Sequence, residues 1–351
     1  MNAKQQIALV LEQAGDAYVS GSGLAAELGL TRAAVWKCIG QLSAEGYDIE
    51  RSKRGYRLGE NSDALSENSV QSRLGELAET FELEVFPEIE STNSYLKAKA
   101  AKTRPGGGDG ELKDWHTVIA SGQSAGRGRM GRAFVSPAGT GLYLSVLLRP
   151  AIAAEKAVRI TTAAAVAACR AIESCTEERA QIKWVNDIYV RGKKTCGILT
   201  EAALNLESGS LDWAVMGIGF NVYEPQGGFP EELREIAGAI AAQRQRDLRS
   251  WIAAAFLREF YTLCKDLEAA DFAEEYRTRS FLLGKSINVI RGDTVTPATA
   301  LDIDRECHLL VRYEDGKEEA LSSGEVSVRP STKPVNGFRS AETKGEILNE
   351  D

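Results

Sequence analysis

Apolar residues in the first sixty positions recur at helical spacing and then alternate. Over residues 2–14 the spacing predicts a helix whose apolar face is formed by Ile7, Val10, Leu11 and Ala14. A second short helix fits residues 24–28 after Ser22, and Thr31 is a suitable N-cap for a third helix that runs through Glu45. Three short helices in close succession are typical of a helix-turn-helix.

The third helix and the segment after it keep apolar and basic residues apart. The apolar stripe of the helix is formed by Val35, Ile39 and Leu42. Arg32 and Lys37 then fall outside that stripe. Two strands, at residues 47–49 and 56–58, are joined by a basic hairpin tip at residues 51–55. The pattern predicts a winged helix-turn-helix over residues 1–60.

A polar segment, Glu60–Asp63, is predicted to be a linker to a second domain that mixes strands and helices. Strands are expected at residues 81–86, 118–120, 142–148, 197–201 and 213–222. Helices are expected at residues 70–77, from Tyr95 behind a Ser91–Ser94 cap, at 155–173 and at 248–268. Short strands from residue 286 to 329 predict a small β-barrel, and the polar tail after Pro330 is predicted to be disordered.

Composition limits the function classes. The chain has 351 residues, 43% hydrophobic and 26% charged, which is typical of a globular protein with several domains. The absence of a secretion signal or a membrane-spanning apolar run indicates a cytoplasmic protein. The cysteines are scattered without a Cys-x-x-Cys pair, so neither a disulfide framework nor a zinc site is expected.

Charge distribution matters more than total charge for any contact with DNA. The net charge of −8 argues against general nucleic-acid binding. The third helix and the wing nevertheless concentrate exposed cations, and we expect DNA contacts from Arg32, Lys37, Arg51, Lys53 and Arg54. A winged helix used only for protein contacts is the alternative.

The stretch Ser121–Ser136 is the most informative in the chain. It places three arginines among three glycines, namely Arg127, Arg129 and Arg132 among Gly126, Gly128 and Gly131. Guanidinium groups match phosphate or carboxylate oxygens, and glycines let the backbone approach a ligand, so an anion site is predicted. The glycines also fit a dinucleotide pattern, but a turn and a strand follow instead of the required helix. A solvated basic loop is the alternative.

A second informative segment is Gln181–Val190. Strand alternation would place Lys183 on the same face as Val185, and a lysine beside an apolar residue calls for an anion. A lysine on an exposed sheet face is the alternative. Residues 192–195 lack the glycine and hydroxyl positions of a P-loop. In the strand at residues 213–222, Gly217 and Gly219 permit close approach of another group.

Taken together, the motifs resemble those of biotin protein ligases. The segments that carry the resemblance, in order, are Ser91-Thr-Asn, GRGRMGR from Gly126, KWVND from Lys183, KKTCGIL from Lys193, GIGFNV from Gly217 and GEVSVR from Gly324. The winged helix makes the chain similar to the bifunctional members that are also biotin operon repressors. The resemblance implies an α+β fold with a central mixed sheet like that of class II aminoacyl-tRNA synthetases and a carboxyl-terminal SH3-like barrel.

The resemblance also implies domain limits and a reaction. It implies a catalytic domain at residues 65–280 and a barrel at 281–330, with the tail at 331–351. Biotin and MgATP would give biotinyl-5′-AMP, and a lysine of a carboxylase's biotin carrier domain would then take the biotinyl group. A homodimer bound to biotinyl-5′-AMP would repress biotin genes at operator DNA.

The family's functional residues carry over onto matching positions. The resemblance assigns biotin contacts to Ser91, Thr92, Asn93, Gln123, Arg127, Gly128, Arg129 and Lys183. It assigns contacts to ATP and the adenylate to Arg129, Arg132, Phe134, Lys183 and Asn186. Lys183 and Arg129 are the expected catalytic residues, and no protein-held metal is expected.

The sequence departs from the family pattern and leaves alternatives open. Val185 replaces a proline, Phe134 replaces a tryptophan, and a glycine-rich insert lies at residues 106–108. A ligase whose winged helix does not bind DNA, a lipoate-type ligase, and a ligand-sensing transcription factor without catalysis are the alternatives. Lys183 and the intact arginine loop weigh against the last.

Overall fold

A computed structural model of the protein describes residues 2–44, 46–102, 112–204, 209–268, 270–291, 294–322 and 327–330. The chain divides into two compact units. One holds the described residues up to Phe281 together with Asp304–Cys307, and the other holds the described residues among 282–303 and 308–330. Among the described residues, no helix has both the length and the apolar character needed to cross a bilayer.

The amino-terminal module is a winged helix-turn-helix, as the apolar pattern predicts. Its elements are α1 (Ala3–Ala14), α2 (Gly21–Glu27), α3 (Arg32–Ala44), β1 (Ile49–Ser52) and β2 (Gly55–Leu58). The predicted stripe of α3 is buried, with Val35, Ile39 and Leu42 at most 2% exposed. The Thr31 hydroxyl accepts a hydrogen bond from the backbone N–H of Ala34 at 3.1 Å, which confirms the predicted N-cap. Glu45 lies outside the described residues.

Two local boundaries differ from the sequence prediction. Helix α2 begins three residues earlier than expected, because the Ser20 hydroxyl, not that of Ser22, caps it by accepting from the N–H of Gly23 at 2.9 Å. The wing tip is also shorter than predicted. Strands β1 and β2 pair as far as Ser52 opposite Gly55, which leaves only Lys53 and Arg54 in the turn.

The predicted linker is packed into the protein, contrary to the expectation from its polarity. Ser62 and Asp63 are at most 1% exposed. Asp63 forms an ion pair with Arg249, which is itself buried. A charge can be buried when a partner and hydrogen bonds satisfy it, and the sequence pattern gave no sign of that partner 186 residues away. The helix predicted at residues 70–77 is instead a short α-helix, α4 (Glu67–Gln71), followed by a 3-10 helix at Gly75–Thr80.

A seven-stranded mixed sheet forms the centre of the first unit. Its strands are β3 (Leu83–Phe86), β4 (Thr117–Ala120), β5 (Gly141–Leu148), β6 (Ala180–Lys183), β7 (Asp187–Val190), β8 (Lys193–Leu204) and β9 (Leu211–Asn221). Their order is β3-β4-β5-β9-β8-β7-β6, and only β3 and β4 pair in parallel. Strand β9 is central, as predicted for residues 213–222.

Helices cover this sheet. They are α5 (Thr92–Ala100), α6 (Val158–Cys175), α7 (Leu248–Cys264) and α8 (Ala273–Arg279). Helix α6 is buried on most sides because its alanines and threonines allow close packing, which confirms the predicted backing helix. The predicted stripe of α7 is buried as well, namely Leu248, Ile252, Phe256 and Phe260.

The second unit is a five-stranded antiparallel sheet, in agreement with the predicted small β-domain. Its strands are β10 (Ser286–Arg291), β11 (Thr294–Ile303), β12 (Leu309–Tyr313), β13 (Glu318–Leu321) and β14 (Ser327–Pro330), in the order β13-β12-β11-β10-β14. The apolar alternation of β10 and β11 buries Ile287, Val289, Ala298 and Ala300. The insert at residues 106–108 and the tail after residue 330 lie outside the described residues.

Candidate active site

A cleft with about 310 Å³ of empty space, open solvent included, lies over the central sheet and gathers residues from distant parts of the sequence. It is lined by the start of α5, the arginine-glycine loop and strands β8 and β9. The lining residues are Ser91, Thr92, Asn93, Gln123, Arg127, Phe134, Gly197, Leu199, Gly217, Ile218 and Gly219. The structure thus brings together five of the residues that the motifs assign to biotin, in one concave site.

The hydroxyl and amide triplet at the cleft lies at the start of a helix. Helix α5 begins at Thr92, three residues earlier than predicted, with Ser91 as its N-cap. The reason is that Ser91 accepts from the N–H of Ser94, so Thr92 and Asn93 already belong to the first turn. All three residues are at most 4% exposed. The helix start therefore contributes these three residues to the lining of the cleft.

Asn93 is held by the protein on all sides of its amide. Its Nδ2 donates to the Leu199 carbonyl and to Glu201 Oε2, each at 3.1 Å. Its Oδ1 lies 2.6 Å from the buried hydroxyl of Ser145. A Cβ atom at Gly217 would lie 1.9 Å from the same Oδ1, so only glycine fits there. Gly217 therefore permits the close approach expected from the sequence, and Asn93 is fixed in one orientation.

Thr92 and Gln123 link the helix start to the arginine-glycine loop. Gln123 Oε1 accepts from the backbone N–H of Thr92 at 2.9 Å and from its hydroxyl at 3.1 Å. Gln123 Nε2 donates to the Ser136 hydroxyl at 3.1 Å, which leaves one amide hydrogen for a ligand. The Thr92 hydroxyl also lies 2.8 Å from Ser145 Oγ. These bonds connect Gln123 and Ser136, near the two ends of the loop, to Thr92 of α5 and through it to β5.

Phe134 forms one wall of the cleft. Its ring lies against Gly219 and Gly197, where an added Cβ atom would come within 2.6 Å and 2.9 Å of the ring. Its edge also meets the Tyr143 ring at a centroid distance of 6.4 Å. The two glycines thus make room for an aromatic side chain that packs directly on the sheet surface.

The three loop arginines have different surroundings. Arg127 is 46% exposed at its side chain and lies 3.2 Å from Glu201 Oε1. Arg129 donates to Asn186 Oδ1 at 3.2 Å, and burial lowers the pKa of its guanidinium. Arg132 is exposed. The loop therefore presents one cation at the cleft, one half-buried cation beside the β6–β7 turn and one toward solvent.

Glu201 is the acidic counterpart of these cations. Burial alone would raise its pKa, but hydrogen bonds from Lys97 and Asn93 outweigh burial and leave the pKa of the carboxyl lowered. Lys97 Nζ lies 2.5 Å from Glu201 Oε1. The carboxylate is therefore charged at neutral pH and fixes both Asn93 and Arg127.

Lys183 lies at the end of a hairpin and not within a continuous strand. Residues 184–186 form a turn between β6 and β7, and Lys183 pairs with Asp187 across the hairpin. The expected sharing of a sheet face with Val185 is therefore wrong, because the chain reverses before Val185. The Val185 carbonyl accepts from the buried Tyr276 hydroxyl at 2.9 Å, which holds the turn. Lys183 thus precedes the turn, and Asn186, which Arg129 contacts, is the last residue of the turn. Both residues are half-buried.

Several residues of the cleft were missed by sequence reasoning. Ser145, Glu201 and Lys97 come from β5, β8 and α5, and none belongs to a recognisable motif. Alternation along β5 and β8 could have placed Ser145 and Glu201 on one face of the sheet, but only the strand order brings them to Asn93. No group of three or more potential metal-binding side chains occurs among the residues that the structure describes.

Comparison with known proteins identifies related families and chains. Models of the Biotin/lipoate A/B protein ligase family, an HTH domain and the Biotin protein ligase C terminal domain match residues 86–221, 4–57 and 282–329. The bifunctional ligase/repressor BirA of Bacillus spizizenii is 34% identical over 320 residues, covering 90% of this chain and 95% of that protein.

The chain belongs to the biotin protein ligase family. The resemblance read from the motifs is thereby confirmed. The bifunctional ligase/repressor BirA of Escherichia coli is 28% identical over 339 residues, covering 93% of this chain and 97% of that protein. The structure of the Aquifex aeolicus biotin protein ligase in complex with biotin and ATP aligns with 71% of this chain and 99% of that structure's chain, with 24% identity and a TM-score of 0.56. This similarity supports the fold.

The helix-turn-helix domain of this ligase presents a basic surface. Arg32 and Lys37 on α3 and Arg51, Lys53 and Arg54 in the wing are all exposed. The guanidinium of Arg54 lies 4.6 Å above the Tyr18 ring, and Arg57 is paired with Glu50 at 2.9 Å. Trp36, which sequence reasoning missed, is 64% exposed on the same helix.

Proposed function

We propose that this biotin protein ligase joins biotin to ATP in the cleft and passes the biotinyl group to a lysine of a carboxylase's biotin carrier domain. The observation that carries the proposal is the convergence of Ser91, Thr92, Gln123 and Arg127 on one cleft. Arg129, Asn186 and Lys183 flank the neighbouring hairpin turn. The proposed limits are residues 65–280 for the catalytic domain, after the DNA-binding module at 1–60, and 281–330 for the carboxyl-terminal domain.

The cleft suits the two ends of biotin. Its closed end offers the Ser91 hydroxyl, the remaining amide hydrogen of Gln123 and the α5 N-terminus to the polar ureido group. Phe134, Leu199 and Ile218 offer apolar surface to the bicyclic ring and the valeryl chain. The carboxylate would then point toward Arg127, the backbone at Gly128 and Arg129, and Lys183. Asn93 contributes mainly by fixing the shape of this end.

Cations are needed because a carboxylate must approach a triphosphate. Attack of a biotin carboxylate oxygen on the α-phosphorus forms the mixed anhydride and expels pyrophosphate, and negative charge grows on the phosphoryl oxygens. We propose that Lys183 lies between the carboxylate and the α-phosphate and that Arg129 and Arg132 bind phosphate oxygens. Phe134 and Asn186 are proposed to contact the adenylate. Mg²⁺ would enter with the nucleotide as MgATP.

Loop closure would protect the product of the first step. A biotinyl-adenylate hydrolyses when water reaches it, so the glycine-jointed loop should close over it until the carrier lysine arrives. Arg127 and Arg129 move with this loop. Retention of the adenylate and catalysis would thus depend on the same segment.

The amino-terminal module is proposed to bind operator DNA as part of a ligand-dependent homodimer. Ordering of the loop by biotinyl-5′-AMP would favour dimerisation, and two winged helices could then occupy paired half-sites. Arg32, Lys37, Arg51, Lys53 and Arg54 are the proposed contacts. We propose that the protein acts in the cytoplasm, where its proposed partners ATP and DNA are available.

The ligase proposal is tested by incubating the full-length protein with radiolabelled biotin, MgATP and a biotin carrier domain. We expect label on one carrier lysine and none without ATP. The same reaction with lipoate in place of biotin separates the two substrate classes. Labelling by lipoate alone would contradict the proposal.

A further inference from the structure

The buried ion pair between the linker and α7 also holds the base of the arginine-glycine loop. The Arg249 side chain is 4% exposed and that of Asp63 is fully buried. Arg249 Nε donates to Asp63 Oδ2 at 3.2 Å, and its backbone N–H donates to Asp63 Oδ1 at 3.0 Å. The terminal nitrogen Nη2 of Arg249 donates to the backbone carbonyl of Asp63. One side of the guanidinium is thus committed to the linker.

The other side of the same guanidinium is committed to the loop. Arg249 Nη1 donates to the Ser121 hydroxyl at 2.6 Å and to the Gly141 carbonyl at 3.2 Å. Ser121 directly follows β4 and opens the arginine-glycine loop, and Gly141 is the first residue of β5. Nη1 therefore bonds to both ends of the segment that carries Arg127, Arg129 and Arg132.

Neighbouring contacts make this arrangement rigid. The Tyr223 hydroxyl donates to Asp63 Oδ2 at 2.5 Å, and the N–H of Asp247 donates to the Ser62 carbonyl at 3.0 Å. The N–H of Gly139 donates to the Ser121 carbonyl at 3.1 Å, which closes the loop base. The linker and the loop base cannot shift independently without breaking bonds to one buried charge, a costly event.

We propose that Asp63 and Arg249 are positioning residues that set the base of the arginine-glycine loop and couple it to the linker of the DNA-binding module. The inference rests on the proposed function, since it names how one ligand site would act on both activities. Apolar residues could pack α7 equally well, whereas a guanidinium shared by two segments fixes their relative position. Ordering of the loop by ligand would then restrain residues 62–64.

The test is hydrogen exchange of the full-length protein, read for residues 62–64 and 121–140. Asp63→Asn leaves a buried guanidinium without its charge partner and can unfold the protein, so Ser121→Ala is the main variant. It removes one bond to Arg249 and leaves the ion pair. In ligand-free protein we expect exchange to rise about fivefold in both segments. Unchanged exchange in residues 62–64 would overturn the coupling.

A matched control lies in the same linker. The Ser62 hydroxyl is buried without a hydrogen-bond partner among the described residues, so Ser62→Ala should leave exchange of the loop unchanged. A loop response to Ser62→Ala as large as that to Ser121→Ala would contradict a specific role for the Arg249 contact.

A second readout uses the ligand. In the unmutated protein, biotin with MgATP should slow exchange in both segments. In Ser121→Ala, the same ligands should slow exchange only in the loop. The variant should also release biotinyl-5′-AMP about fivefold faster. Equal protection of residues 62–64 in both proteins would overturn the proposal. If the proposed function is wrong, the unmutated protein will form no adenylate. The comparison of exchange in the ligand-free proteins would then still test the coupling.

Discussion

Side chains at the cleft divide into those whose hydrogen-bonding groups are used by the protein and those that keep some for a ligand. Asn93 spends both amide hydrogens on Leu199 and Glu201, whereas Gln123 keeps one. The sequence identified both residues but could not separate these roles, because the difference depends on Glu201 and Ser145, which lie on other strands. It also missed the reversal at residues 184–186, since a buried tryptophan and valine there look like strand residues.

Lys183 is predicted to act in the chemical step. Lys183→Ala should abolish detectable adenylate formation with the fold intact, because it removes the charge nearest the reacting phosphate. Loss of one such contact costs about 2.7–4 kcal/mol, or roughly 10² to 10³ in rate. Pyrophosphate release measures the effect, and Lys193→Ala, at the first residue of β8, is the control. A wild-type rate in Lys183→Ala would disprove the role.

Arg129 is predicted to act in retention of the intermediate. Arg129→Gly should leave adenylate formation detectable but loosen the loop from the β6–β7 turn, because the bond to Asn186 Oδ1 at 3.2 Å is lost. Biotinyl-5′-AMP should then escape about tenfold faster and acylate exposed lysines nonspecifically. Stopped-flow measurement of adenylate dissociation tests this prediction. Dissociation as slow as in the unmutated protein would refute it.

Among the elements, those with strong apolar periodicity were predicted well and those set by caps or distant contacts were not. Helices α6 and α7 and strand β9 lie where the pattern places them, because burial on one face decides their position. Helices α2 and α5 start three residues early because serine caps at Ser20 and Ser91 decide the boundary. The linker was mistaken for an exposed segment because a buried Asp63 looks polar in the sequence.

Helix α3 carries a feature that its apolar stripe does not explain. Trp36 is 64% exposed beside Lys37 and one turn from Arg32, and an exposed tryptophan is typical of a contact surface. We predict that Trp36→Ala weakens operator binding about tenfold, within the range for one base contact. Fluorescence anisotropy measures this effect, and Trp251→Ala, which removes a 47% exposed tryptophan of α7, is the control. Equal affinity for the two variants would rule out the contact.

Across the whole molecule, the winged helix and the catalytic sheet belong to one compact unit, and a half-buried carboxyl of α1 contacts the segment at residues 66–68. Glu12 of α1 accepts from Ser66 at 3.0 Å and from Asn68 at 3.1 Å, so a carboxylate lies where the two segments meet. Burial raises the pKa of Glu12, although these hydrogen bonds oppose the increase. The total charge of −8 did not indicate such a contact, because it depends on which face of α1 packs against residues 66–68.

This carboxyl gives a pH prediction. Because the folded pKa is above the unfolded value, the contribution to stability is fully present below about pH 4.3 and is lost as pH rises through the folded pKa. The Tm of the unmutated protein minus that of Glu12→Gln should therefore increase as pH falls from roughly 7.5 to 5. Glu27→Gln, at an exposed position of α2, is the control variant. A difference that decreases over this range would contradict the assignment.

One ligand site is proposed to serve both biotin transfer and repression. If biotinyl-5′-AMP favours the dimer, operator and adenylate must each tighten the binding of the other by the same factor. The most direct test is titration of an operator duplex from the protein's own biotin genes, with and without biotin and MgATP, at one fixed salt concentration. We predict that ligand tightens operator binding at least about tenfold and steepens its dependence on salt, because two winged helices then contact the DNA. Coinciding binding curves would contradict it and leave a ligase whose winged helix does not respond to the ligand.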